Sequence, residues 1–239
     1  MALPKLSHAQ YSHHLVGLGK TIKYRPFTNA EQKALLVAKN AKGEAGENEL
    51  ILNAVTQIVE NCTLGKVKVD QLSTFDIEDL FMRIRAKSVG EIVTVQYRYD
   101  YQEDGKKLSN FIDVNINIDD IKVEQNPDHV KKIQLDDNIG IVMKYPTFDL
   151  LKTMENSGDD QELAMLCIDY IYDNEEIYPT ESVSRAELEA FYDDIDTKGL
   201  LAIQKFFQTM PKLRHTVEVE VLPGKTETVV FEGLNSFFT

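Results

Sequence analysis

Gly17-Leu18-Gly19-Lys20-Thr21 is a stretch whose residue types could grip a phosphate. A phosphate loop reads G-x-x-x-x-G-K-[ST] between a strand and a helix, so that backbone N–H groups and the positive helix end face the anion. Here the first glycine of that pattern falls on His14. Thr21 runs on into Ile22-Lys23-Tyr24-Arg25-Pro26, which is extended sequence ended by proline. Both physical requirements fail, and the stretch predicts a tight glycine turn.

Three other sets of residues have chemical potential. Asp194-Ile195-Asp196-Thr197-Lys198-Gly199 opens like a calcium loop, but Lys198 stands at the fifth position and Lys205 at the twelfth, where oxygen ligands are needed. It predicts a turn before a helix. His8, His13 and His14 cluster near the start, yet adjacent residues of a strand point to opposite faces, and no Cys-x-x-Cys or His-Glu-x-x-His spacing is present. Asp136-Asp137, Asp159-Asp160 and Asp193-Asp194 could supply paired carboxylates for acid–base work. Each pair lies in a polar turn or helix start, where exposed acids keep ordinary pKa values. The sequence has no Gly-x-Ser-x-Gly elbow. On these grounds no catalytic, metal-binding or cofactor-binding residue is assigned.

The elements that would carry such residues read as follows. Tyr11–Val16 and Thr21–Phe27 form a hairpin about the glycine turn. Thr28 or Asn29 caps a helix over about 29–41. A second helix carries the stripe Leu50, Ile51, Ala54, Val55, Ile58, Val59 and Cys62. Ser73 or Thr74 caps a third, with Asp76, Glu78 and Asp79 at its positive end and Arg83, Arg85 and Lys87 towards its other end. The period then changes to alternation over Glu91–Tyr101 and Lys107–Ile118, an antiparallel pair about Gln102-Glu103-Asp104-Gly105-Lys106. Two shorter extended pieces follow, near Lys132–Leu135 and Ile139–Tyr145. Leu163, Leu166, Cys167, Tyr170 and Ile171 have helical spacing and predict a central helix. Ser184 and Glu187 have capping-box spacing, and a further helix runs from about Thr197 to Met210. Thr216–Val221 and Glu227–Phe231 close the chain as a hairpin.

The fold class expected is α+β: an N-terminal hairpin and helices, central antiparallel hairpins, an acidic helical half and a C-terminal hairpin. Residues 1–145 are expected to form the α+β domain with the central strands. Residues 146–239 are expected to form the acidic helical region closing with the hairpin, either as a second domain or continuous with the first. Hydrophobic residues make up 43% of the 239, enough for a core, and no apolar run is long enough to span a membrane. Cys62 and Cys167 fall on apolar faces and read as reduced core residues of a protein kept in a cytoplasm.

Charge is unevenly distributed within the net −13. Residues 145–200 hold fifteen Asp and Glu against Lys152, Arg185 and Lys198, whereas residues 1–40 hold six Lys and Arg against Glu31. A chain so acidic is a poor match for nucleic acid, which needs a basic surface. The opposed ends would suit contacts with other proteins.

Several segments resemble the baseplate hub assembly proteins of T-even-like contractile-tailed phages. They are Met1–His8, Lys23-Tyr24-Arg25-Pro26-Phe27 before an Ala/Leu/Lys-rich helix, Leu72–Glu91, Ile116–Val123 and Ile139–Thr147. The order and spacing of these segments, over most of residues 1–180, carry the resemblance. It implies a non-enzymatic role in building the tail baseplate at its hub, with no cofactor. The implied partners are other hub or tail proteins, a homo-oligomer being compatible, and the place is the virion baseplate or the host cytoplasm during assembly. Two alternatives stand beside it: a transient assembly chaperone absent from the mature virion, and a small phage enzyme using paired carboxylates.

If the chain acts by contact, its partner-binding residues are expected where charge or aromatic rings gather. Arg83, Arg85 and Lys87 on the third helix could dock a neighbour, since arginine is enriched at interfaces. Tyr97, Tyr99 and Tyr101 share one face of a strand, for packing or for binding. Phe237 and Phe238 at the end either tuck back or insert into a neighbour.

Overall fold

Alternation on either side of the glycine turn gives β1 (Tyr11–Leu15) and β2 (Lys20–Tyr24), paired antiparallel with Leu15 and Tyr24 buried. Gly19 closes the turn at a φ of 65°, a conformation that suits glycine. In this computed structural model residues 6–40, 47–155 and 160–237 are described. Thr28 starts α1 (Asn29–Asn40). Its backbone N–H donates to the Glu31 carboxylate at 2.6 Å, and its hydroxyl donates to the same oxygen. α2 (Glu47–Cys62) turns Ala54, Val55, Ile58, Val59 and Cys62 inward, the later part of the expected stripe, whereas Leu50 at its start is exposed. α3 (Thr74–Val89) buries Phe75, Ile77, Leu80, Phe81, Met82 and Ile84, so most of its circumference faces protein. Burying each large apolar side chain stabilises by roughly 1.5–3 kcal/mol, which makes α3 the axis of the core.

β3 (Ile92–Glu103) and β4 (Lys106–Asn117) pair without a break, from Ile92 opposite Asn117 to Glu103 opposite Lys106. Asp104 and Gly105 have φ of 50° and 75°, the two-residue turn that matches strand twist. β5 (Lys122–Glu124) follows.

A second compact unit comprises Asp70–Thr74 and Gln125–Pro211. Its strands β6 (Lys132–Gln134), β7 (Gly140–Met143), β8 (Ile168–Tyr172) and β9 (Ile177–Pro179) form an antiparallel sheet in sequence order. The helices of this unit are α4 (Phe148–Glu155), α5 (Asp160–Leu166), α6 (Arg185–Asp193) and α7 (Thr197–Thr209). Ile133, Ile141, Met143, Met165, Cys167, Ile168, Leu188, Ile203 and Phe206 form its core. The Ser184/Glu187 capping box is present on α6.

One expected element is overturned. The central helix predicted through Ile171 stops at Leu166, and Ile168-Asp169-Tyr170-Ile171-Tyr172 is a strand paired with β7, Ile171 opposite Ile141. The apolar run satisfies either period. The β-branched and aromatic residues after Cys167, with an open strand to pair against, decide for the sheet. The acidic half is therefore mixed rather than helical, within the expected α+β class.

After the second unit the chain returns to the first with β10 (Lys212–Leu222) and β11 (Lys225–Glu232), then a short 3-10 turn, Leu234–Phe237. β10 pairs with β11 along its length and with β5 at Lys212–Arg214. The first unit thus comprises Met1–Val69, Phe75–Glu124 and Lys212–Thr239. The C-terminal hairpin sits with the early strands and not with the acidic segment that precedes it, because its hydrogen-bond partner, β5, lies there. Among the described residues no helix is long and apolar enough to cross a membrane.

Candidate functional site

The polar residues of α3 are where sequence and structure differ most. Asp76 is 1% exposed and Asp79 3% exposed. Acids buried this deeply must be hydrogen-bonded, and both are. Gly17 and Leu18 donate their backbone N–H groups to the two Asp76 carboxylate oxygens, at 2.9 and 2.8 Å. The glycine turn that resembles a phosphate loop therefore does hold an anion, and the anion is a carboxylate of the same chain.

Asp79 is shared. His13 Nε2 lies 2.6 Å from one carboxylate oxygen, and Arg83 Nε donates to the other at 3.1 Å. Arg83 then reaches the chain after β4, donating from Nη1 to the Ile118 carbonyl at 2.8 Å and from Nη2 to the Ile121 carbonyl. Asp119 approaches Nη1 at 3.5 Å. Glu78, one turn from the start, accepts the Leu234 N–H at 3.1 Å. Burial pushes the Glu78 carboxyl up to about 7, against the lowering effect of that hydrogen bond, with Glu232 adding to the rise. Four side chains of one helix thus grip the N-terminal hairpin, the loop after β4 and the C-terminal turn.

A similar clamp ties β2 to α1 and α2. Arg25 pairs with Glu31 at 2.8 Å and donates to the Cys62 sulfur at 3.6 Å. Burial would raise the Glu31 pKa, but Arg25 and Thr28 outweigh it and hold the carboxyl at about 2. Burial pushes the Cys62 thiol up to about 11 and the Cys167 thiol to about 12, so both are protonated core residues as expected.

The expected contact residues separate. Arg83 is committed to the interior, so its expected docking role is replaced by a structural one. Lys87 pairs with Glu91 on the surface and lies 5.8 Å from the Tyr11 ring centroid. Arg85 is different: its Nη1 is shut off from solvent without a hydrogen-bond partner among the described residues, and burial lowers its pKa. Tyr97, Tyr99 and Tyr101 are half-buried on the same side of β3 as the buried Val93 and Val95. Tyr99 and Tyr101 stack at 6.0 Å, and Lys225 in the C-terminal hairpin donates to the Tyr99 hydroxyl. Phe237 is 1% exposed, its ring 6.0 Å from that of Phe231, so it tucks back and is not available to a neighbour. Phe238 lies outside the described residues.

The chemical look-alikes also resolve into structure. Asp196 caps α7, accepting the Gly199 N–H at 2.7 Å, which is the turn expected at the calcium-like stretch. Asp136 accepts the N–H groups of Asn138 and Ile139, both at 2.7 Å, and these bonds lower its pKa. Asp159 lies outside the described residues. His13 turns to Asp79, whereas His14 is exposed beside Thr21, so the two histidines diverge. Sequence reasoning missed the anchoring roles of Asp76, Glu78 and Asp79. The available signal was three acids interleaved with Phe75, Ile77 and Leu80, where a helix buried nearly all round leaves acids no solvent face.

Residues 8–239 match the family described as T4 bacteriophage base plate protein. The baseplate hub assembly protein gp26 of Enterobacteria phage T4 is 27% identical over 224 residues, covering 92% of this chain and 93% of that protein. No solved structure matches the chain.

Proposed function

The chain belongs to the T4 bacteriophage base plate protein family, and from that premise we propose that it acts in assembly of the baseplate hub, through protein–protein contacts and without catalysis or a cofactor. The observation that carries this reading is the nearly end-to-end correspondence with a protein named for hub assembly. The partners are other hub or tail proteins of the same phage, met in the host cytoplasm and, for a retained subunit, kept in the virion baseplate.

Arg85 is the contact residue of choice on α3. Its side chain is half-buried rather than committed to backbone carbonyls as Arg83 is, and arginine is enriched at interfaces. Lys87 and the Tyr97, Tyr99 and Tyr101 face extend the proposed surface. The test is capture of the phage's other baseplate proteins on co-expression. Arg85→Met should weaken capture several-fold with the circular dichroism spectrum unchanged, whereas Arg83→Met should destabilise the fold itself. Undiminished capture by Arg85→Met removes the α3 docking surface.

The words of the relative's name fit a retained subunit and a transient assembly chaperone equally. Mass spectrometry of purified virions separates them: stoichiometric presence identifies the subunit, and absence identifies the chaperone.

A further inference from the structure

We propose that β3 is a self-pairing edge, by which two copies of the chain join antiparallel about a twofold axis through Tyr99. β3 and β4 form a sheet of two strands only, so each has one edge whose backbone groups meet no strand among the described residues. A twelve-residue strand with an open edge is a template for another strand.

The side chains select the occupant. In an antiparallel pair centred on Tyr99, Arg98 of one copy stands opposite Asp100 of the other, twice by symmetry. Gln96 stands opposite Gln102, and Tyr97 opposite Tyr101. Opposite residues share a face, so Arg98 and Asp100 meet on the outer side, where they are 62% and 64% exposed. The tyrosines meet on the inner side. Arg98 and Asp100 are already neighbours along the strand at 2.8 Å, and Ser109 holds Asp100 by a 2.6 Å hydrogen bond. Exchange across the axis therefore needs only a change of partner for Arg98. The β4 edge begins instead with Lys106 and Lys107, adjacent like charges of the kind that protect an edge. An isologous interface must be self-complementary, and the Arg98-Tyr99-Asp100 triplet is self-complementary about its centre.

This inference does not rest on the hub reading, and either can fail alone. The test is free of partner proteins: analytical ultracentrifugation of the purified full chain into the hundred-micromolar range. The wild type should approach twice the 27.2 kDa chain mass. Arg98→Asp places two acids opposite each other at both symmetric positions and should raise the dimer Kd about tenfold or more, with circular dichroism unchanged. Asp100→Arg should do the same with two cations. The double variant carrying both changes restores opposite charges and should recover dimerisation. A wild type that stays monomeric overturns the proposal. So does a dimer indifferent to the single reversals, or a double variant no better than either single one.

Discussion

Removing Asp76 tests the interpretation of the glycine turn most directly. Asp76→Ala deletes the acceptor of two backbone N–H groups, those of Gly17 and Leu18, inside a contact that is 1% exposed on the aspartate side. Hydrogen bonds to a charged group contribute about 1.5–3 kcal/mol each, and donors left without a partner forfeit at least that much. Taking the lower part of that range, because the turn itself is partly solvated, gives a loss of about 3 kcal/mol. For a chain of this size each kcal/mol moves the melting temperature by about 2–4 °C, so the variant should melt about 6–12 °C below wild type. Asp76→Asn keeps one acceptor oxygen and should lose about half as much. Thermal melts followed by far-ultraviolet circular dichroism measure both, with the exposed Asp113→Ala as control. The freed N–H pair also becomes an anion site in its own right, so inorganic phosphate should raise the melting temperature of Asp76→Ala more than that of wild type. A melting temperature within about 1 °C of wild type would refute the assignment, since it would mean the carboxylate contributes no net stability to the turn.

Two further perturbations probe the same helix. Glu78 has its carboxyl pushed up to about 7, so between its ordinary value of 4.5 and about 7 the folded chain binds a proton that the unfolded chain has released. Stability from this group is therefore present at low pH and lost as pH rises through about 7. Glu78→Gln should flatten that slope in urea titrations from pH 5 to 8 and stabilise at pH 8 by about 1–3 kcal/mol, and an unchanged slope would contradict the burial argument. Ile84 is fully buried, so Ile84→Asp inserts a charge without a partner and should leave the first unit unfolded. A soluble variant with native circular dichroism would contradict the placement of α3 in the core.

Legibility followed how local the determining interaction was. The β3–β4 hairpin could be read because alternation, an Asp-Gly turn and matching strand lengths all lie within 26 consecutive residues. The capping box of α6 and the cap of α7 are contacts across three residues and were equally plain. The strand after α5 was not legible, since Leu163 to Ile171 fits the helical period and only its pairing with Ile141 selects the other. The docking of β10 on β5 joins segments about ninety residues apart through three backbone pairs, which leave no trace in side-chain pattern. The site residues divide the same way. Arginines on a helix announce charge, but whether a given one faces solvent or carbonyls such as those of Ile118 and Ile121 depends on a loop 35 to 38 residues further on.

The polar contacts of α3 also bear on how a discontinuous unit is held together. Apolar burial is non-directional and would accept a hairpin or a terminal turn in several registers. Asp76 fixes one pair of N–H groups 58 and 59 residues upstream, Asp79 a histidine 66 residues upstream, and Glu78 one N–H 156 residues downstream. Each bond is directional and each misplacement would strand a buried acid, so the penalty for a wrong register is the full desolvation of that group. Leu72–Glu91, the longest segment carrying the family resemblance, contains these anchors together with Arg83. On this argument the segment specifies which parts of the chain meet.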